Sequence, residues 1–124
     1  MLALSLVGVL YLVSGLWCLW QPQLASAYLG FELVSPLAFS EFVSVYGGLQ
    51  CGLAMGFLLS ACRPVYREAA CFYGWVFSAT LAGFRTATVV QITQAPEALF
   101  MLVLEWVIAL ILLFSWWRLK QTQS

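Results

Sequence analysis

The chain contains no histidine, no aspartate and no asparagine, and only 8% of its 124 residues are charged. Each absence removes a class of chemistry. Without imidazole, zinc, copper, haem and non-haem iron lose their commonest protein ligand. The usual general base is missing as well, so acid–base catalysis would fall to the five glutamates. No metal site, no cofactor and no catalytic constellation is expected. Five basic residues on a chain of zero net charge leave no footprint for nucleic acid. The four cysteines, Cys18, Cys51, Cys62 and Cys71, form no C-x-x-C pair, so membrane thiol–disulfide chemistry lacks its usual motif. They are expected to serve as small apolar helix filler.

What the chain has in abundance is apolar surface. Its hydrophobic content is 64%, where a globular domain would have about a quarter of its residues charged. A soluble domain this short buries too small a fraction of its surface to hide that much. The chain must therefore face lipid. Four apolar stretches come near the roughly 20 residues that a hydrocarbon core requires. The first runs from Leu2 to Trp20. The second covers Phe42 to Ala61, with an earlier start at Pro36 if Ser35 acts as N-cap and Pro36 as first helical residue. The third covers Ala69 to Ile92 and is interrupted by Arg85 alone. The fourth covers Ala98 to Trp117, is interrupted by Glu105 alone, and is opened by Pro96. The expected fold is all-α: an integral membrane four-helix bundle in one domain, with residues 21–41 forming an outward loop.

Ala25-Ser26-Ala27 resembles a signal-peptide cleavage site, but the first stretch has no basic n-region and too long an apolar run. A retained first helix is expected. Orientation follows from the basic residues. Arg63 and Arg67 fall between the second and third stretches, and Arg118 and Lys120 follow the fourth, whereas the opposite side carries Glu32, Glu41 and Glu97. The positive-inside rule then places both termini in the cytoplasm.

Helix association in lipid relies on close backbone approach, which small residues permit. The second stretch has a small residue at every fourth position: Ser44, Gly48, Gly52, Gly56 and Ser60. The third has Ala70, Gly74, Ser78 and Ala82. These rows predict that the second and third helices pack as a close antiparallel pair. The first helix has only Gly8 and Gly15. The fourth is bulky and is expected to expose the most surface.

Ionisable groups inside apolar spans are costly, and are usually paired or functional. Arg85 lies seven residues before Ile92, and Glu105 seven after Ala98. Both then sit about 10 Å below the outer surface on consecutive antiparallel helices. The spacing predicts an Arg85–Glu105 ion pair, with Glu41 and Tyr46 as further members of an outward-facing polar site. Gln50 points away from the glycine row and is left out.

At these residues a resemblance appears. Glu41-Phe42-Val43-Ser44-Val45-Tyr46-Gly47-Gly48 resembles the E-x-R-x-x-Y-G-G signature of a family of small bacterial four-helix membrane proteins with no assigned function, and Gly83-Phe84-Arg85 and Glu105 continue the likeness. Val43 departs from the pattern, since the family usually has arginine there. The resemblance implies a bacterial inner-membrane protein and supplies no activity.

Three functions compete at this level. The first is a non-catalytic helper: an accessory subunit of a membrane complex, or a binder of lipid or another apolar ligand. Its expected partners are membrane lipids and either a membrane protein docked on the fourth helix or a second copy of the chain. The second is a small proton-coupled transporter using Glu105, similar in size to the small multidrug-resistance proteins, though those carry their glutamate in the first helix. The third is a membrane enzyme, for which the polar residues stop at Glu105, Arg85, Tyr46 and Glu41.

Overall fold

The computed structural model describes all 124 residues, and every element in it is helical. The elements are α1 (Leu2–Trp20), α2 (Pro22–Tyr28), α3 (Pro36–Phe42), a π-helical segment (Val43–Leu49), α4 (Gln50–Cys62), α5 (Pro64–Gln91) and α6 (Pro96–Gln123). All four prolines of the sequence stand at the start of a helix. There the missing N–H is no loss and the fixed φ suits the first turn. At α3 the Ser35 hydroxyl also accepts from Ala38 N at 3.1 Å, which satisfies one of the free first-turn donors.

Residues 21–41, expected as a loop, are partly helical. Pro22 opens α2 directly after α1, and Gly30 closes it. Gly30 has φ +83°, its N–H donates to Ala27 O at 3.1 Å, and Phe31 N donates to Ser26 O at 2.8 Å. This is a Schellman ending, and the left-handed residue it needs is glycine. From Pro36 the chain then runs as one continuous 27-residue helical rod to Cys62. Three helices are long and apolar enough to cross a membrane: α1, this rod and α6. The 28-residue α5 matches α6 in length but carries Arg67, Glu68 and Arg85.

The chain divides into two compact units, Ser5–Leu59 and Met1–Leu4 with Ser60–Ser124. In the first, α1 and the rod run antiparallel at close range. A Cβ placed on Gly8 would lie 2.8 Å from Leu58 Cγ. One on Gly15 would lie 2.8 Å from Cys51 Sγ and 3.0 Å from Cys51 N. One on Gly47 would lie 2.5 Å from Leu19 Cδ2. Each glycine is thus the hole for a larger side chain on the opposite helix. Tyr11 and Phe57 stack between the same two helices at 5.8 Å.

Within the Ser5–Leu59 unit, the small row of the second span is not the face that meets α1. Ser44, Gly48, Gly52 and Gly56 are exposed and Ser60 is only half-buried, and a Cβ on Gly52 or Gly56 would meet nothing within 4 Å. The face turned toward α1 is the one bearing Gly47, Cys51, Ala54 and Leu58. It wins because α1 offers its own glycines as holes, so the rod needs larger residues opposite them. A row of small residues facing small residues would leave a gap.

In the second unit α5 and α6 form a long antiparallel hairpin. Cys71, Gly74, Ser78, Ala82 and Val89 are buried on α5, and Ile108, Ala109 and Leu112 on α6. Ala70 is half-buried. The Ser78 hydroxyl is buried with no partner, so its place in this row is steric: it is a small side chain at a close contact. Near the hairpin's open end, Phe72 and Trp116 approach to 5.4 Å, and Lys120 Nζ lies 3.3 Å from Glu68 Oε1. The Ala61 carbonyl, one of the last of α4, accepts from Arg67 Nε and Nη2 at 3.1 and 2.8 Å and from the Met1 ammonium at 3.3 Å. These donors satisfy and charge-complement a helix C-terminus. The start of α1, the end of α4, the start of α5 and the end of α6 therefore meet at one place.

Candidate functional site

Toward its closed end, the α5–α6 hairpin holds two polar rungs. Arg85 Nε donates to Glu105 Oε2 at 2.7 Å. One residue along on each helix, Trp106 Nε1 donates to Thr86 Oγ1 at 3.0 Å. The Thr86 hydroxyl in turn donates to the Ala82 carbonyl at 2.7 Å, so its single donor is engaged. The Arg85 side chain is 26% exposed and that of Glu105 13%, so the carboxylate is the more enclosed partner. A charge-assisted bond of this length is at the short end of its range. The two rungs fix the register of α6 against α5, because a slip of one residue would separate both pairs.

The position of the pair follows from local structure. α5 ends at Gln91 and α6 starts at Pro96, so a short connection holds their closed ends at equal height. Arg85 lies six residues before the end of α5 and Glu105 nine after the start of α6, an offset of roughly one turn that the long arginine side chain spans. Arg85 follows Ser78 and Ala82 on the buried side of α5, and this directs its stem along the hairpin. The Thr86–Trp106 rung was not anticipated. Its signal was available: a tryptophan N–H in apolar surroundings needs an acceptor, and Thr86 is next to the arginine already assigned a partner.

The other two residues proposed for the site belong to the Ser5–Leu59 unit, and their described contacts are there. Tyr46 lies in the π-helical segment and stacks on Phe42 at 5.0 Å, with Phe31 at 5.4 Å from Tyr46 and 6.2 Å from Phe42. The same cluster buries Cys18, Ala25 and Phe42, with Trp17, Leu29, Leu33 and Tyr46 packed around them. Tyr46 is thus a packing residue of an aromatic cap over α1, α2 and the rod. Glu41, on α3, is exposed and forms no ion pair. Gln50 is half-buried at the start of α4.

The structure also locates the Tyr-Gly-Gly element physically. Tyr46, Gly47 and Gly48 fall inside the seven-residue π-helical segment. A π turn inserts one extra residue into a helix and is found frequently at functional sites. Here it puts Gly47 opposite Leu19 and Tyr46 on Phe42. All four cysteines are free thiols; Cys18 and Cys71 are buried, Cys51 is half-buried against Gly15, and Cys62 is exposed at the end of α4. Comparison of the chain with family models, with curated proteins and with solved structures finds no match.

Proposed function

We propose that the chain is a four-crossing protein of a bacterial inner membrane, with both termini in the cytoplasm, that acts by binding and not by catalysis. Its role would be that of an accessory subunit or a lipid binder. The observation that carries the reading is how the polar and apolar groups are spent. The Arg85–Glu105 pair is engaged in joining α5 to α6, while Phe100, Val103, Leu110 and Phe114 of α6 are each more than half exposed. Such a surface is covered in the cell by lipid or by another membrane protein.

The fourth crossing is supported by the hairpin. α5 is paired with α6 from Glu68–Lys120 at one end to Arg85–Glu105 at the other, so it shares the depth of a helix apolar enough to span. The meeting of four helix ends beside Arg67, Met1 and Lys120 supports an even number of crossings. It also supports a basic, cytoplasmic side. Cys62 offers a native probe of this, being the exposed cysteine. A membrane-impermeant maleimide is expected to label it in inside-out vesicles and not in intact cells; labelling from outside would reverse the orientation.

The binding role is tested by native mass spectrometry of the full chain released from mild detergent. A partner protein or lipid is expected at fixed stoichiometry. A clean, ligand-free monomer would count against the reading. The competing proton-coupled transporter makes a different forecast: Glu105→Gln would keep the fold and abolish substrate-driven proton movement.

A further inference from the structure

The atoms that the Arg85–Glu105 pair leaves unused define an open face. Arg85 donates through Nε alone, whereas Arg67 engages its carbonyl through both Nε and Nη2. Arg85 therefore keeps the donors on Nη1 and Nη2 without a protein acceptor, and Glu105 keeps Oε1 without a donor. The buried polar atoms that lack a partner are Trp75 Nε1 and Ser78 Oγ. The three free atoms of the pair are accordingly accessible.

We propose that this face binds a zwitterionic phosphoethanolamine group carried by a lipid, with the phosphate on Arg85 Nη1 and Nη2 and the primary ammonium on Glu105 Oε1. The inference rests on the binding role proposed above and names the ligand class. Charge decides between candidates. The ion pair is already neutral, so a bare anion or a bare cation would bring an uncompensated charge into apolar surroundings. A zwitterion brings none, and its two ends match the two kinds of free atom. The lipid origin follows from the exposed apolar residues next to the pair: Phe84, adjacent to Arg85, is 73% exposed, and Trp106, adjacent to Glu105, is 38% exposed. Acyl chains would lie on these side chains, with the headgroup drawn down to the guanidinium and carboxylate that the Nε–Oε2 bond holds together.

The test uses the full chain in mild detergent, with phosphatidylethanolamine, phosphatidylcholine and phosphatidylglycerol added at equal concentration and retention read by native mass spectrometry. Phosphatidylethanolamine is expected to be retained roughly tenfold over either competitor, the ratio that loss of one charge-assisted hydrogen bond gives. Phosphatidylcholine has no N–H to offer Oε1, and phosphatidylglycerol has no cation. In Glu105→Gln the site becomes net cationic, and the order should invert in favour of phosphatidylglycerol. Should that variant fail to accumulate, the wild-type comparison alone decides. Equal retention of the three lipids would overturn the inference and leave the binding role standing; retention of neither lipid nor protein would overturn both. Displacement by soluble glycerophosphoethanolamine, which keeps the phosphodiester and the ammonium, at comparable concentration would overturn the assignment to a lipid.

Discussion

Arg85→Leu and Glu105→Leu, made singly, are each expected to destabilise the folded chain by about 2–3 kcal/mol, while the double variant returns to within about 1 kcal/mol of the wild type. The reason is the asymmetry of an enclosed ion pair. Removing one partner leaves the other charge in apolar surroundings, which costs roughly 3–5 kcal/mol at full burial. Here the side chains keep 26% and 13% exposure, so solvent screening brings the cost to the bottom of that range or just below it, about 2–3 kcal/mol. Replacing both removes attraction and desolvation together, and leucine on both sides still fills the α5–α6 contact.

The measurement is the unfolding midpoint in detergent for the four proteins of this cycle. Singles as stable as the wild type, or a double variant worse than the sum of the singles, would show that the pair does not clamp the hairpin. Glu68→Ala is the internal control. Its partner Lys120 is 54% exposed, and pairs of that kind contribute under about 1 kcal/mol. A large effect there would mean that removal of any charge on the hairpin is harmful, whatever its burial.

How much of this could be read from the sequence depends on how local each feature is. The helix starts at Ser35-Pro36 and Pro96 rest on two or three neighbouring residues, and these are legible. The pairing of Arg85 with Glu105 is legible too, because on two helices joined by a short turn both fall within about a turn of the same depth, which a long side chain spans. The rotation of the Pro36–Cys62 rod is not. Whether Gly48 or Gly47 faces inward depends on what α1 presents, and Gly8 and Gly15 looked too sparse to matter until Leu58 and Cys51 were seen opposite them. α2 spans seven residues, which is too short for periodicity to announce it. Glu41 is grouped with Arg85 by its helix face near the outer mouth and the reach of a long arginine, and Tyr46 as one of the few polar residues available. Neither criterion says which neighbours a residue meets, and Tyr46 has its aromatic partners Phe31 and Phe42 in its own unit.

The same contrast gives the second large effect. Gly15→Ala is expected to destabilise the chain by about 1–3 kcal/mol, whereas Gly52→Ala and Gly56→Ala should be neutral or stabilising by up to about 1 kcal/mol. The added methyl at Gly15 would meet Cys51 N at 3.0 Å and Gly47 O at 3.1 Å, as well as Cys51 Sγ at 2.8 Å. Two of those three atoms are backbone, so no rotamer change relieves the clash and α1 must move off the rod. At Gly47 the obstructing atoms are the far end of Leu19, which can turn aside, and Gly47→Ala should fall between the two cases. At Gly52 and Gly56 nothing lies within 4 Å, and alanine is the better helix former. Unfolding midpoints of the four single variants check the order. A damaging Gly52→Ala or Gly56→Ala beside a harmless Gly15→Ala would mean that the small row of the rod, and not α1, carries the close helix contact. The original small-row reading would then replace the packing seen here.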